Sequence, residues 1–253
     1  MVNPNQAKYH EKLEEIKVSI DNSLAEKAAP IAAFDADGTL WNMDLGEHFF
    51  EYQIRNKLLP NLPKNPWNTY WEMQKESPPK AYLWLAQINS GQTESNVRKW
   101  AQMAFAEINP VPVFSLIHEI IKHLQKRSVK IYVITASIKW AVEPGAKFLG
   151  IEQDNVIGIK TQVQKGIITD QLDGSITWRD GKVAGLLNAT SGKHPFFAAG
   201  NTMGDFALLE SATHLQFVNC AATKDHHNYE TEQKLLSQAK ERGWFYDVSA
   251  YSL

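Results

Sequence analysis

The segment Ile31-Ala32-Ala33-Phe34-Asp35-Ala36-Asp37-Gly38-Thr39-Leu40-Trp41 limits this chain more than any other. A short apolar run ends abruptly in two carboxylates with one residue between them. Its length and its apolar character on both faces are those of a strand buried inside a parallel sheet. Strand side chains alternate with period two, so Asp35 and Asp37 leave the strand end on the same side. Gly38 allows the backbone to turn away sharply. Two neighbouring carboxylates repel each other, and at neutral pH they call for a cation or a shared proton. A turn cap needs one Asp and not two at this spacing. Open parallel sheets bind ligands at their strand ends, so the pair marks a candidate site.

Bulk properties narrow the function class. The chain has 253 residues, enough for one large domain or for a core plus a smaller insertion. Its 43% apolar content is that of a folded globule. A net charge of -2 and the lack of any Lys/Arg run give no field to attract nucleic acid. No apolar run reaches membrane-spanning length, and Met1 to Gln6 is polar, without the apolar segment of a signal peptide. A cytoplasmic location is the default, and a periplasmic one follows if an export signal has been removed. The single cysteine, Cys220, excludes an intramolecular disulfide and reads as a small core residue.

Periodicity organises the rest. Tyr9, Leu13, Ile16, Ile20 and Leu24 recur at helical steps, predicting an amphipathic helix over 5–28 that Pro30 stops. Residues 43–110 lack strand alternation and are rich in helical spacing, so they read as a helical insertion. Val113 to Arg127 reads as a helix, Val129 to Ile134 as a strand, and Lys139 to Leu149 as a helix ended by Gly150, with Ser137 a candidate N-cap. Across 155–178, Val156 to Ile159, Gly166 to Thr169 and Ser175 to Trp178 suggest short strands of an antiparallel extension. A helix after Gly181, a strand Pro195 to Ala199, a helix near Asp205 to Ser211, a strand His214 to Val218 and a helix Tyr229 to Arg242 complete the chain. Strands alternating with helices predict an α/β fold with a parallel sheet between helices.

These segments together resemble the haloacid dehalogenase superfamily. Its first motif is an apolar strand followed by D-x-D-G-T, matched from Ile31 to Thr39. Its second is an apolar strand ending in Ser or Thr, matched by Val129 to Ser137 with Thr135 in place. Its third is a Lys before the last catalytic strand, matched by Lys182. Its fourth is an apolar strand followed by G-D-x-x-x-D, matched by Phe196 to Asp205, except that Asn201 stands where the first Asp is usual. The resemblance implies a Rossmann-like three-layer core over 1–42 and 111–253, with 43–110 as a type 1 helical cap, as in the phosphoserine-phosphatase-like branch.

It also implies roles. Asp35 is the expected nucleophile, forming an aspartyl-phosphate. Asp37 is the expected acid and base, and argues for phosphoester hydrolysis rather than dehalogenation. Thr135, Lys182 and the backbone of Ala136 are expected to hold the phosphoryl oxygens. The expected cofactor is Mg²⁺, with Asp35, Asp37, Asn201 and Asp205 as its ligand set. Asn201 brings an amide oxygen but no charge, so weaker metal binding is expected, and Asn201→Asp is expected to tighten it.

The expected partner is a small phosphate ester, with oligomeric state left open. Trp41-Asn42-Met43-Asp44-Leu45-Gly46-Glu47 is also similar to bacterial phosphorylcholine phosphatases of the same branch. Trp41, Trp67, Trp71, Trp84 and Trp100, with Tyr52, Tyr70 and Tyr82, lie in or beside the insertion. Most read as core of a small helical domain. A few, Trp41 among them, with Asp44 or Glu47, would make a cage for a quaternary ammonium group, each aromatic face contributing roughly 0.5–2 kcal/mol. Phosphocholine and phosphoserine-like amines are therefore the substrate candidates. A phosphotransferase on the same core, an impaired phosphate-ester binding module and a protein-interaction role for the aromatic insertion stay open as alternatives.

Overall fold

The computed structural model describes residues 4–24 and 30–248. In chain order the elements are α1 (Pro4–Leu24), β1 (Ile31–Phe34), α2 (Leu45–Arg55), α3 (Pro66–Glu76), α4 (Pro78–Gln87), α5 (Glu94–Ala106), α6 (Ser115–Lys126), β2 (Lys130–Ile138) and α7 (Lys139–Phe148). They continue with β3 (Val156–Ile159), β4 (Thr161–Gln164), β5 (Ile167–Leu172), α8 (Asp180–Ala189), β6 (Phe197–Gly200), α9 (Phe206–Ser211), β7 (Leu215–Asn219), α10 (Tyr229–Arg242) and β8 (Phe245–Asp247). The fold is α/β and Rossmann-like. Six strands form one sheet in the order β3-β2-β1-β6-β7-β8, and β4 and β5 form a separate antiparallel ribbon. β1 pairs in parallel with β2 and with β6, placing Phe34 opposite Val133 on one side and Ala199 on the other. All four residues of β1 are buried, as the unbroken apolar run requires of a central strand.

Contacts divide the chain into two compact units. The first comprises 1–43, 111–133 and 186–253; the second comprises 44–110 and 134–185. In the first, α1 packs on α6, and Leu13, Ile16 and Ile20 of the one helix and Ile117, Ile120 and Leu124 of the other are buried. The predicted helix over 5–28 is α1 up to Leu24; its last predicted turn lies outside the described residues. Cys220 is buried beneath α10, where its thiol donates to the Glu232 carbonyl at 3.4 Å, and burial pushes that thiol up to about 12.

In the second unit α2 to α5 carry no strand between them. Phe49, Phe50, Tyr70, Leu85, Val97, Trp140, Ile159 and Ile168 form its core. The second unit groups 134–185 with 44–110, a grouping that periodicity does not mark.

The 155–178 region departs from its expected form. β3 joins the main sheet beside β2, and the antiparallel ribbon is built from β4 and β5. Ser175 to Trp178 makes no strand: it is a loop whose Trp178 N–H folds back on the Ile176 carbonyl at 2.8 Å. Ser137 is not an N-cap either. β2 runs on through it to Ile138, and α7 starts without a side-chain cap. β8 lacked any sequence signal, being three residues long. Among the described residues no helix is long and apolar enough to cross a membrane.

Candidate active site

In the first unit the site is built where β1 and β6 end. Asp35 is buried, and its backbone N–H still donates to Ala199 of β6 at 2.9 Å, so the strand register fixes the base of this side chain. Beyond it the chain turns tightly: the Thr39 and Leu40 N–H groups both donate to the Ala36 carbonyl. This turn brings the Thr39 hydroxyl back over the strand end, where it donates to Asp35 Oδ2 at 2.9 Å and lies 3.4 Å from Asn201 Oδ1. Asp37 is half-buried and accepts the Trp41 indole N–H at 2.8 Å.

Gly38 has φ +79°, in the left-handed region, and a methyl group built on it would overlap the Asn201 amide. Asn219, at the end of β7, donates to the Gly38 carbonyl at 2.9 Å. Gly38→Ala is therefore expected to cost about 1–3 kcal/mol through backbone strain alone, and to displace Asn201. A urea unfolding midpoint that does not move would disprove this.

Asn201, Asp205 and Glu232 complete this unit's polar centre. Asp205 Oδ2 accepts the backbone N–H groups of Asn201 and Thr202, each at 3.0 Å. This carboxylate therefore ties the loop after β6 to the start of α9, and the loop sets where Asn201 points. Asn201 Nδ2 donates to Glu232 Oε1 at 3.0 Å, while Ala222 N–H donates to Glu232 Oε2 at 2.9 Å. Burial pushes the Glu232 carboxyl above the ordinary range, and these hydrogen bonds oppose it.

In the second unit Thr135 and Lys182 are both buried, at 1% and 3% exposure. Burial removes the bland reading of Lys182 as a solvated surface charge. The Thr177 hydroxyl donates to the Thr135 carbonyl, so the loop that leads into α8 and Lys182 is tied to the strand segment bearing Thr135. The Thr135 hydroxyl in turn accepts the Ser137 N–H at 3.0 Å. Gly46, with no Cβ, lets the start of α2 lie against Ser137, because a methyl group there would stand 2.8 Å from the Ser137 hydroxyl.

At that helix start Asp44 is the N-cap, accepting the Glu47 N–H at 2.7 Å. Tyr70 hydroxyl lies 3.4 Å from Glu47 Oε1. Burial pushes the Tyr82 hydroxyl up to about 12; the charges of Asp44 and Glu47 act in the same direction and Lys182 opposes them. One buried phenol thus senses two carboxylates and the candidate phosphate-binding lysine.

A family model for haloacid dehalogenase-like hydrolases matches residues 32–210. The chain belongs to that family.

Three solved structures share its fold. A Bordetella pertussis Tohama I protein of unknown function aligns with a TM-score of 0.71 and 14% identity, over 89% of this chain and 100% of that one. A functionally unknown protein from Anaerococcus prevotii DSM 20548 aligns at 0.70 and 15% identity, over 92% and 91%. A phosphoserine phosphohydrolase-like protein from Francisella tularensis subsp. tularensis SCHU S4 aligns at 0.52 and 17% identity, over 86% and 94%. The likeness to these three structures is one of fold. No curated protein matches the sequence.

Of the residues expected at a haloacid dehalogenase-type site, Asp35, Asp37, Trp41, Asn201 and Asp205 fall in the first unit. Thr135, Ala136, Lys182 and Glu47 fall in the second. Trp41 has no exposed surface, so it is not available to touch a substrate; its indole holds Asp37 instead. Of the aromatic residues expected in or beside the insertion, Trp41, Tyr52 and Tyr70 are buried, and Trp67, Trp71, Tyr82, Trp84 and Trp100 are partly buried.

Sequence reasoning missed Glu232. The available signal was its place on the last helix, at the head of the buried stripe Glu232, Leu235, Leu236 and Ala239. An acidic residue on an apolar face needs a partner.

The oxygen atoms of this site suit Mg²⁺. Among the described residues no group of three or more His, Cys, Asp or Glu side chains is gathered as a metal cage. Asp35 and Asn201 Oδ1 flank the Thr39 hydroxyl as hard oxygen donors. Mg²⁺ binds through one or two carboxylates and completes its shell with water and substrate phosphate. Zinc would call for three or four nitrogen, sulfur or carboxylate ligands.

Proposed function

We propose that this protein is a Mg²⁺-dependent phosphomonoester hydrolase acting on a small phosphorylated amine. The observation that carries the reading is the Asp35–Asp37 pair at the buried end of β1, with Asn201 beside it on the adjoining strand's loop. Asp35 attacks phosphorus and takes the phosphoryl group, forming one P–O bond as the ester P–O bond breaks. Asp37 protonates the departing alkoxide, then removes a proton from the water that hydrolyses the aspartyl-phosphate. The Trp41 indole N–H, bound to Asp37 Oδ1, fixes the carboxyl group that performs both transfers. Bound Mg²⁺ would supply charge neutralisation for the phosphoryl oxygens.

Thr135 and Lys182, both buried, are assigned to phosphoryl binding by their positions in the family's motifs. Residues 43–110 are assigned as the helical cap. The substrate's amine is assigned to Asp44 and Glu47, at the start of α2, which lies against Ser137 two residues beyond Thr135. A phosphate for the lysine and a cation for the carboxylates describe phosphocholine and phosphoserine-like amines.

A panel of phosphorylated metabolites tests the reading. Assayed with Mg²⁺, phosphocholine or a phosphoserine-like amine is expected to exceed neutral sugar phosphates in kcat/KM by at least about tenfold, the effect of one well-placed charge pair. Neutral esters turned over equally well would remove Asp44 and Glu47 from recognition. No phosphate release from any ester, with any divalent ion, would overturn the hydrolase assignment. Including an alcohol acceptor and looking for its phosphoester separates hydrolysis from phosphoryl transfer.

A further inference from the structure

We infer that Glu232 is the positioning residue of the metal site, supplying from one layer out the negative charge that Asn201 does not carry. An asparagine side chain presents an oxygen on one side and an NH₂ group on the other, and only the oxygen can bind a cation. Which one faces Asp35 is decided by what holds the other. Here Glu232 Oε1 accepts from Asn201 Nδ2 at 3.0 Å. The amide oxygen is thereby left on the opposite side, 3.4 Å from the Thr39 hydroxyl that also contacts Asp35.

Both Glu232 oxygens face donors, Oε1 the Asn201 amide and Oε2 the Ala222 N–H at 2.9 Å, so the carboxylate selects the NH₂ side of Asn201. The side chain is 3% exposed, so a charge has been placed in the interior where a leucine would pack on the stripe of α10.

Hydrogen bonds tie its helix turn to the surroundings. The first turn of α10 reaches both neighbouring loops: Thr231 Oγ1 accepts the Met203 N–H at 3.1 Å, and the Glu232 carbonyl accepts the Cys220 thiol. The Asn201–Glu232 pair therefore acts as a split carboxylate. The amide presents the oxygen, and the glutamate polarises that oxygen through the shared N–H and adds its charge to the local field. Outer partners of this kind typically change metal affinity by about 10–100-fold when removed.

This arrangement reverses the expected effect of Asn201→Asp. Glu232 and a carboxylate at 201 would face each other where an N–H now bridges them, and the two carboxylates would repel and displace each other.

The inference rests on the hydrolase reading above, through the ion at Asp35, and is tested on the full chain by metal binding itself. Mg²⁺ affinity is measured by calorimetry and Mn²⁺ affinity by electron paramagnetic resonance, without substrate. The proteins are the native chain, E232Q, N201D and N201D/E232Q, each checked for folding by circular dichroism. E232Q is expected to bind about 10–100-fold more weakly. N201D is expected to bind no more tightly than the native chain. The double variant moves the charge inward and places a glutamine amide behind it as donor. It is expected to bind at least about tenfold more tightly than N201D.

Native-like affinity in E232Q, or equal affinity in N201D and the double variant, would overturn the role of Glu232 and leave the hydrolase reading standing. A native chain that binds neither ion and releases no phosphate would overturn both. Should E232Q fail to fold, the comparison of N201D with the double variant decides the question alone.

Discussion

Asp35→Asn is expected to give a folded protein without turnover. On the proposed mechanism the variant loses the negative charge that would attack phosphorus, and an amide oxygen does not form the acyl phosphate. Loss of a covalent nucleophile acts on a scale of about 10⁴–10⁶-fold in kcat, so hydrolysis of p-nitrophenyl phosphate with Mg²⁺ should fall to background.

The fold should survive, because an asparagine keeps the oxygen that accepts the Thr39 hydroxyl and the backbone N–H that donates to Ala199. Removing one of two adjacent carboxylates also relieves their repulsion. A urea unfolding midpoint equal to or above that of the native chain is therefore expected alongside the lost activity. Retained turnover would end the covalent mechanism. Loss of activity together with loss of folding would instead make Asp35 a structural group.

The part of this site that was legible in the sequence is the part set by local backbone geometry. The length of Ile31–Phe34 and its position before two carboxylates identify a central strand, because a run apolar on both faces has no solvent side. β1 is that strand, buried throughout. The last helix, Tyr229–Arg242, was legible from its helical spacing alone.

What stayed hidden depends on contacts between residues far apart in the chain. The Asn201–Glu232 pair spans 31 residues, and only the fold brings the two side chains together. The Trp41–Asp37 bond spans four residues, yet an aromatic beside an acidic motif reads the same whether its ring is core or cage. β3 was misplaced for a related reason. A short β-branched run pairs equally well in a hairpin or at a sheet edge, and its neighbour β2 decides which.

Asp37→Asn is expected to separate the two half-reactions. The variant keeps an oxygen for the Trp41 indole N–H, so the turn around Gly38 should hold its shape. What disappears is a group that gives and takes a proton, a change typically worth about 10²–10⁴-fold in rate. The loss should depend on the leaving group. An alkoxide is a strong base and leaves slowly without an acid, so hydrolysis of an alkyl phosphate should fall across this whole range.

p-Nitrophenolate is a weak base and leaves unaided, so Asp35 should still be phosphorylated by p-nitrophenyl phosphate. The second half-reaction has no such escape, because water must lose a proton as it attacks the phosphorylated Asp35. Rapid mixing should therefore show a burst of nitrophenolate close to one equivalent per site, followed by a slow phase. Mass spectrometry of the quenched protein should find the phosphoryl group on Asp35. A variant that turns over p-nitrophenyl phosphate at the native rate with no burst would assign the acid and base to another residue. A variant with neither burst nor turnover would show that Asp37 is needed for the attack itself.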